Sequence, residues 1–263
     1  MKNILEQIVE TKKGEVLELK KRGSEASLRQ QPFFSRTTLS LKQRLLAEDS
    51  SGIIAEFKQK SPSKGEINPA AKVGEITRGY AEAGAAGLSV LTDAQYFGGS
   101  LDNLLKARGA NPATPILRKD FVIDQIQLLE AKAFGADVVL LIAACLEKEE
   151  VYHLAEKAKA LGLEVLLEIH DESELDKINS LIDLVGVNNR NLKTFEVNVE
   201  TSLRLAPLIP EQFVKISESG LTNAETVLRL KSAGFRGFLI GETFMKTSDP
   251  VLACAGFIQD LQK

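Results

Sequence analysis

Apolar residues in this chain occur mostly in short runs, and each run is followed by a polar loop and a longer amphipathic segment. From residue 51 onward this unit recurs with a period of roughly 25 to 30 residues, a pattern typical of βα units around a parallel sheet. Eight runs are candidate strands: 53–58, 87–92, 115–120, 137–142, 164–169, 183–188, 213–218 and 238–241.

The number of strands favours a closed sheet. Eight strands suit an α/β (β/α)8 barrel, whereas an open doubly wound sheet usually has about five to seven and a glycine-rich first turn, which is missing here. Barrels of this kind need about 250 residues, and the chain has 263. We therefore expect residues 1–263 to form a single domain. Glycines at the ends of the helix-like runs fit as helix C-caps: Gly84, Gly135, Gly162 and Gly234.

The first 48 residues precede the repeating part and predict a helical extension, with Ile4, Leu5, Ile8 and Val9 at helical spacing. Charged residues interrupt the N-terminal segment every few positions, so it lacks the apolar core of a secretory signal. No apolar run of about 18 residues follows that could span a membrane. We expect a cytoplasmic protein that is neither secreted nor membrane-embedded.

Composition narrows the possible partners. The 33 basic and 36 acidic residues give a net charge of −3, which offers no general attraction to nucleic acid or to an anionic membrane. The two cysteines, Cys145 and Cys254, are far apart and belong to no Cys/His cluster, which argues against a disulfide framework and a structural zinc site. An anionic substrate would need local positive groups.

Charged residues end the first and third candidate strands, at the barrel face that carries active sites. Alternation puts Glu56 and Lys58 on one side of the first strand and Phe57 on the other; the alternative to a functional role is a structural ion pair or a solvated strand end. On the third strand, Lys119 and Phe121 share one side. A lysine there suits a general acid or a Schiff-base lysine, or it is a structural partner of a nearby glutamate.

The fifth and sixth strands add a carboxylate and a binding group. Glu168 ends an apolar run, where its pKa tends to rise if no cation is near, which suits a general acid or base. We expect the neighbouring His170 to be a loop residue rather than a catalyst. Asn188, Arg190 and Leu192 share one parity, and an amide with a guanidinium could bind hydroxyl and carboxylate groups.

Small residues end the seventh and eighth strands, where barrels often bind phosphate. Gly220 and Gly241 allow backbone N–H groups to approach an anion, and Ser219 adds a hydroxyl. The loop after the first strand, S-P-S-K-G at 61–65, has turn-forming residues, and its Ser61 could hydrogen-bond a substrate.

Taken in order, several strings resemble the indole-3-glycerol phosphate synthase family over about residues 53 to 250. They are A-E-F-K-Q-K-S-P-S-K-G, L-T-D-A-Q-Y-F-G-G-S, I-L-R-K-D-F-V-I-D, G-A-D-V-V-L-L-I, L-L-E-I-H, G-V-N-N-R-N-L-K-T-F, S-E-S-G-L and I-G-E-T-F-M. One falls on each βα unit. The resemblance also implies that the N-terminal extension, residues 1–48, lies over the barrel mouth, as such helices do in this family.

The resemblance implies conversion of 1-(2-carboxyphenylamino)-1-deoxyribulose 5-phosphate into indole-3-glycerol phosphate, without metal or organic cofactor, by a monomer or weak homodimer. Lys119 would be the general acid of ring closure, and Glu168 the base or acid of the later step. Lys58 would bind the substrate carboxylate or protonate the leaving hydroxyl, and the division of labour between the lysines stays open. Supporting roles would fall to Glu56, Asn188, Glu218, Arg190 and Ser61.

The same resemblance assigns the binding pockets. The ring of the substrate would lie against Phe97, Phe121, Leu140 and Leu192, and Leu239 would also bind the substrate. The phosphate would bind backbone N–H groups of Ser219, Gly220, Gly241 and Glu242, the last through its main chain only.

Two other functions remain open from the sequence. A Schiff-base aldolase would also use a strand-end lysine, and borohydride would trap it with its substrate. A barrel without catalytic activity, kept as a binding module, would belong to a different class. Against it stand the several ionisable strand ends, which are costly to maintain without use.

Overall fold

Eight parallel strands close into a barrel, in which the first strand pairs with both the second and the last. This computed structural model describes residues 4–22, 25–192 and 194–263. The (β/α)8 prediction is confirmed. The strands are β1 (Ile53–Phe57), β2 (Gly87–Leu91), β3 (Ile116–Lys119), β4 (Val138–Ile142), β5 (Glu164–Ile169), β6 (Leu184–Asn188), β7 (Val214–Glu218) and β8 (Phe235–Ile240).

Helices surround the barrel and cover its ends. They are α1 (Ile4–Arg22), α2 (Glu25–Arg29), α3 (Leu41–Leu46), α4 (Val73–Glu82), α5 (Leu101–Ala110), α6 (Gln125–Ala133), α7 (Lys148–Ala160), α8 (Glu200–Leu205), α9 (Ala224–Ser232), α10 (Glu242–Met245) and α11 (Pro250–Asp260). Turns of 3₁₀-helix span Ala143–Cys145, Glu172–Lys177 and Ala206–Leu208, and a small hairpin pairs Lys60–Ser61 with Gly65–Glu66. None of the helices within the described ranges is long and apolar enough to cross a membrane.

The predicted strand ends agree closely with the structure except in β8, which begins at Phe235, three residues before the predicted start. Arg236 is exposed and the pairing register shifts between Phe235 and Gly237, so the apolar run is interrupted although the strand is not. The predicted glycine caps hold: Gly84 and Gly135, at the ends of α4 and α6, have φ values of 97° and 94°, which favour glycine.

Alternation along the strands builds two apolar layers. Side chains such as Ile54, Leu117 and Leu166 fill the barrel interior, while Phe57 and Val139 pack outward under the helices. Burying each such side chain stabilises the fold by about 1.5 to 3 kcal/mol.

The N-terminal segment reaches both ends of the barrel. Lys12 of α1 binds Asp93 (2.8 Å) and Asp120 (2.9 Å) just beyond the ends of β2 and β3, so α1 lies at the barrel mouth. Residues of α3 lie at the opposite end, where Glu164, the first residue of β5, accepts the N–H of Leu41 at 2.9 Å.

The prediction that all of residues 1–48 lie over the mouth is therefore wrong for α3. Leu41 and Leu45 of this helix are buried in the interior apolar layer of the barrel. Their burial closes the N-terminal end of the barrel, which leaves the C-terminal end as the open face.

Candidate active site

A cavity of about 140 Å³ lies among the C-terminal ends of the strands, beneath α1. It gathers fifteen of the seventeen predicted site residues: Glu56, Lys58, Ser61, Phe97, Lys119, Phe121, Leu140, Glu168, Asn188, Arg190, Leu192, Glu218, Ser219, Leu239 and Glu242. The other two, Gly220 and Gly241, line an adjoining cavity of about 290 Å³ that shares Lys58, Arg190 and Glu242 with the first. The predicted residues thus form one continuous region.

Lys119 stands at the end of β3 between two buried carboxylates. Its Nζ lies 2.7 Å from Glu168 Oε2 and 3.1 Å from Glu218 Oε2. Burial alone would lower the pKa of Lys119, but the negative charges of Glu168, Glu218 and Glu56 outweigh it and raise that pKa. The lysine is therefore an ammonium ion, held between carboxylates from β5 and β7.

The two carboxyl groups differ in protonation. Burial would raise the pKa of Glu168, but Lys119 and His170 lower it below its ordinary value, so this group is ionised. Burial, together with the charge of Glu168, raises the pKa of Glu218 despite Lys119. The sequence predicts a raised pKa at Glu168 only if no cation is near, and Lys119 is near. The carboxyl group whose pKa is raised is Glu218.

Glycine makes room for Glu218. A Cβ at Gly186 of β6 would lie 2.5 Å from Glu218 Oε1, so no larger residue fits without displacing the carboxyl group. That same Oε1 is buried and has no hydrogen-bond partner among the described residues. A protonated carboxyl group with an unpaired oxygen, beside an ammonium ion, can supply a proton.

Glu56 and Lys58 face the cavity, and Phe57 packs outward, as alternation predicts. Lys58 Nζ lies 2.9 Å from Glu56 Oε1, and Ser89 Oγ donates to Glu56 Oε2 at 3.2 Å. The pair is thus a structural ion pair in the free protein. Lys58 still lines both cavities, where it can exchange that partner for a substrate anion.

Asn188 and Arg190 extend the polar wall from β6. Asn188 Nδ2 donates to Glu168 Oε1 at 3.2 Å, which orients the carboxylate, and its Oδ1 accepts the N–H of Arg190 at 3.0 Å. The Arg190 guanidinium lies 3.9 Å from Glu242, too far for a hydrogen bond. Its Nη1 donates to the Phe195 carbonyl at 3.3 Å, so Nη2 is the atom placed to bind a substrate group.

An apolar wall faces these charges. The rings of Phe97 and Phe121 lie 6.1 Å apart between centroids, with their planes inclined at 36°, and Leu140 and Leu239 form the floor. Further residues of this wall were not predicted from the sequence: Leu91, Ile142, Phe195 and, from α1, Ile4, Leu5 and Ile8. The helical spacing of the α1 residues marked an apolar face, but nothing in the sequence showed what it covers.

The adjoining cavity carries the predicted phosphate-binding features. Ser219 and Gly220 have consecutive positive φ values of 67° and 78°, a turn that exposes backbone N–H groups. A Cβ at Gly241 would lie 2.6 Å from Glu56 Oε1, so only glycine fits there. Lys64 and Lys246 add positive charge to the wall of this cavity. Neither lysine is among the site residues predicted from the sequence.

Two further polar groups stand out. Ser61 Oγ is buried and has no hydrogen-bond partner among the described residues, a costly state unless a ligand completes it. His170 follows β5 in a loop, as expected, but its ring lies between two carboxylates: Nε2 is 3.3 Å from Glu168 Oε1 and Nδ1 is 3.5 Å from Glu174 Oε2.

Solved structures share the architecture. The chain aligns with 3-hexulose-6-phosphate synthase from Salmonella typhimurium at a TM-score of 0.64 and 13% identity, over 80% of this chain and 98% of that one. It aligns with tryptophan synthase subunit alpha from Legionella pneumophila at 0.60 and 14%, over 84% and 95%. Identities this low show the fold alone.

Sequence relatives are far closer. The family model described as indole-3-glycerol phosphate synthase matches residues 5–256. The protein of that name from Bacteroides thetaiotaomicron is 51% identical over 262 residues, covering 100% of both chains. The one from Polaromonas naphthalenivorans is 41% identical over 259 residues, covering 97% of this chain and 98% of the relative. This chain therefore belongs to the indole-3-glycerol phosphate synthase family.

Proposed function

We propose that this chain uses Lys119, Glu168 and Lys58 to convert 1-(2-carboxyphenylamino)-1-deoxyribulose 5-phosphate into indole-3-glycerol phosphate, the activity of its family in tryptophan biosynthesis. The observation that carries the proposal is the Lys119 ammonium, held by Glu168 at 2.7 Å and Glu218 at 3.1 Å beside an apolar pocket. A proton donor next to a slot for an aromatic ring is what ring closure requires.

Ring closure begins when the ring carbon that bears the carboxylate attacks the ketone carbon. The developing alkoxide needs a proton, and Lys119 supplies it while Glu168 and Glu218 keep the amine in place. Phe97 and Phe121 hold the aromatic ring, so the reacting carbons stay close together. Loss of CO₂ then restores the aromatic ring.

Dehydration completes the indole. A base removes a proton from the carbon next to nitrogen, and an acid protonates the departing hydroxyl group. Glu168, ionised in the free protein, suits the base, and Lys58 suits the acid or the binding of the substrate carboxylate. Arg190 and Asn188 would hold substrate hydroxyl or carboxylate groups in this arrangement.

The phosphate group would bind in the adjoining cavity. Ser219, Gly220, Gly241 and Glu242 line it, where their backbone N–H groups would bind the phosphate, and Lys64 supplies charge. Glu242 contributes its main chain, since its own carboxylate points toward Lys64 at 3.8 Å. We also propose that residues 1–263 act as one domain, in the cytoplasm, as a monomer or weak homodimer with no nucleic-acid partner.

The protonation of Lys119 argues against an aldolase. A Schiff-base lysine must reach its neutral amine form, which needs a lowered pKa, and here the glutamates raise the pKa of Lys119. Borohydride added with the substrate should therefore leave the protein active, whereas covalent trapping of Lys119 would favour the aldolase.

The direct test is product formation. Purified protein, given the carboxyphenylamino deoxyribulose phosphate and no added cofactor, should produce indole fluorescence together with one CO₂ per product. The matched control is Lys119→Met, which keeps the length of the side chain but has no transferable proton. If the unmodified protein gives no fluorescence gain, the proposed function is wrong.

A further inference from the structure

A second, polar cavity of about 990 Å³ lies beside the active-site pocket. Its wall includes the first turns of α1, the loop after β5 and the segment after β6, with Asn188, Arg190 and Leu192 shared between the two spaces. Glu168 lines the active-site pocket, and His170 lines the polar cavity. Their side chains meet at 3.3 Å, so they join the two spaces.

The proposed reaction needs a connection of this kind because it consumes a proton. Ring closure delivers one proton to the ketone oxygen, and dehydration delivers another to the departing hydroxyl group while removing one from carbon. The substrate enters with an ionised carboxylate and releases neutral CO₂. Each turnover therefore takes up one net proton, which must reach Lys119 from solvent before the next ring closure.

We propose that His170 is the proton relay that recharges the Lys119–Glu168 pair from the polar cavity, an inference that rests on the proposed function. After ring closure Lys119 is a neutral amine, and Glu168 no longer faces a cation. The His170 Nε2–H bond then breaks as a Glu168 O–H bond forms, and that O–H bond breaks as a Lys119 N–H bond forms. A water molecule in the cavity returns the proton to His170.

The surroundings of the imidazole ring fit a proton carrier rather than a neutral hydrogen-bonding group. Burial would lower the pKa of His170, but Glu168 and Glu174 outweigh it and raise that pKa to about 10, so the ring holds a proton at neutral pH. Both ring nitrogens are buried, and each lies close to a carboxylate oxygen, Nε2 at 3.3 Å from Glu168 and Nδ1 at 3.5 Å from Glu174. Glu174 is fixed separately, since it accepts the backbone N–H of His170 at 2.6 Å.

Other charged groups around the cavity bear on this ring. Asp171 and Lys177 lie on its own loop and on the following 3₁₀ turn, and Arg204 faces the cavity from α8. Glu6, Glu10 and Lys13 face it from α1, and Cys145, whose pKa burial raises to about 12, stays a neutral thiol at its edge. The carboxylates and cations together keep the cavity polar and suited to water.

Glu218 cannot serve as this entry. It holds a proton at neutral pH, but it lines only the active-site pocket among the cavities described and is 2% exposed. It can give Lys119 one proton, after which it must itself be recharged. Asn188 also touches Glu168 and lines the polar cavity, but its amide does not titrate. Among the described residues, His170 is the titratable group that both pairs with Glu168 and lines that cavity.

The test compares His170→Asn and His170→Gln with His153→Asn, which changes the chain's other histidine on the exposed face of α7. We expect both His170 variants to lower kcat at least about tenfold with little change in KM, since they can hydrogen-bond but cannot carry a proton. The rate of a single turnover, which starts from a fully protonated site, should stay within about twofold of the unmodified protein. His153→Asn should change none of these values.

Rescue by added imidazole distinguishes a proton relay from a structural role of His170. Added imidazole fits the 990 Å³ cavity and should restore the kcat of His170→Gln in proportion to the concentration of protonated imidazole. The ratio of kcat with imidazole to kcat without it is measured on one protein preparation. Unchanged kcat in both variants would overturn the proposal, as would a loss that is equal in single turnover and insensitive to imidazole. If the unmodified protein forms no product, the proposed function fails instead.

Discussion

Two buried ion clusters lie at opposite ends of the barrel and differ in how completely the oxygens of their carboxylates are hydrogen-bonded. At the N-terminal end, Asp137 accepts two hydrogen bonds on each oxygen: from Arg36 and the N–H of Leu39 on Oδ1, and from Arg108 and the N–H of Ile116 on Oδ2. At the C-terminal end, Lys119 faces Glu168 and Glu218, and one oxygen of Glu218 has no partner among the described residues.

This difference distinguishes a cluster that stabilises the fold from a cluster that can exchange protons with a substrate. A buried charge whose hydrogen bonds are all satisfied has one favoured protonation state and locks the surrounding backbone. A cluster with more acids than bases and an unused oxygen has protonation states that lie close in energy, so a substrate can change which group holds a proton. The closed end of the barrel therefore carries the first kind, and the open end carries the second.

Breaking the satisfied cluster should have the largest effect. Asp137→Ala leaves Arg108 buried without its carboxylate, so we expect the free energy of unfolding to fall by about 3 to 5 kcal/mol. Activity per folded molecule should not change, because Asp137 lies at the end of the barrel opposite to the pocket. Urea denaturation with activity measured on the folded fraction tests both halves, and a loss under about 1 kcal/mol would contradict the comparison.

Breaking the unsatisfied cluster should affect rate more than stability. Lys119→Met should lower kcat at least about 10²-fold, or about 2.7 kcal/mol in activation free energy. The matched control is Lys215→Met on β7, where the lysine donates to the Ala206 carbonyl at 2.6 Å and lines none of the three cavities described, so the variant should keep kcat within about twofold. A loss of only a few-fold in Lys119→Met would make Lys119 a structural partner.

The protonation of Glu218 should appear in how stability depends on pH. Since the folded protein raises the pKa of Glu218 above its ordinary value of 4.5, it binds more protons than the unfolded chain above that pH. Its contribution to stability therefore decreases as pH rises, by at most about 1.4 kcal/mol per pH unit. Glu218→Gln should flatten this decline between pH 5 and 8, as measured by denaturation at each pH.

The contribution of Glu168 to stability depends on pH in the opposite direction. Its lowered pKa contributes stability that is present above its ordinary value of 4.5 and is lost as pH falls through the folded value. Glu168→Gln should therefore destabilise the protein at neutral pH. If both variants changed the pH dependence in the same direction, the assignment of one ionised and one protonated carboxyl group would be wrong.

The smallest effect should come from Ser61, whose buried hydroxyl has no partner among the described residues. Ser61→Ala removes an unsatisfied polar group, so stability should stay equal or rise by up to about 1 kcal/mol. Loss of a hydrogen bond to the substrate should raise KM about five-fold, for about 1 kcal/mol. An unchanged KM would exclude a binding role for this hydroxyl, and a lower melting temperature would contradict its lack of a partner in the folded protein.

Much of the barrel and its site followed from local pattern. The strands could be predicted because each is an apolar run closed by loop-forming residues, and alternation sufficed to put Glu56 and Lys58 in the cavity with Phe57 outside. Asn188, Arg190 and Leu192 share the pocket for the same reason. The family strings then supplied the chemistry that the pattern alone left open.

The prediction failed where contacts span distant parts of the chain. Leu41 and Leu45 read as part of a helical extension, yet they close the far end of the barrel because its interior layer needs covering. Phe195 enters the pocket from a loop with a positive φ of 61°, which no sequence pattern marks. The sequence predicts only a loop position for His170, because Glu174 and Glu168 surround its ring only after folding.

The sequence by itself determined the barrel, the face that carries the chemistry and the residue types available there, because periodicity and strand-end position are properties of neighbouring residues. The tertiary structure alone decided the charge states. Whether Glu168 or Glu218 holds a proton depends on Lys119 lying 2.7 Å from one and 3.1 Å from the other, and on burial that removes water from both. Coulomb interaction and desolvation act through space, so the chain had to close before these groups acquired their roles.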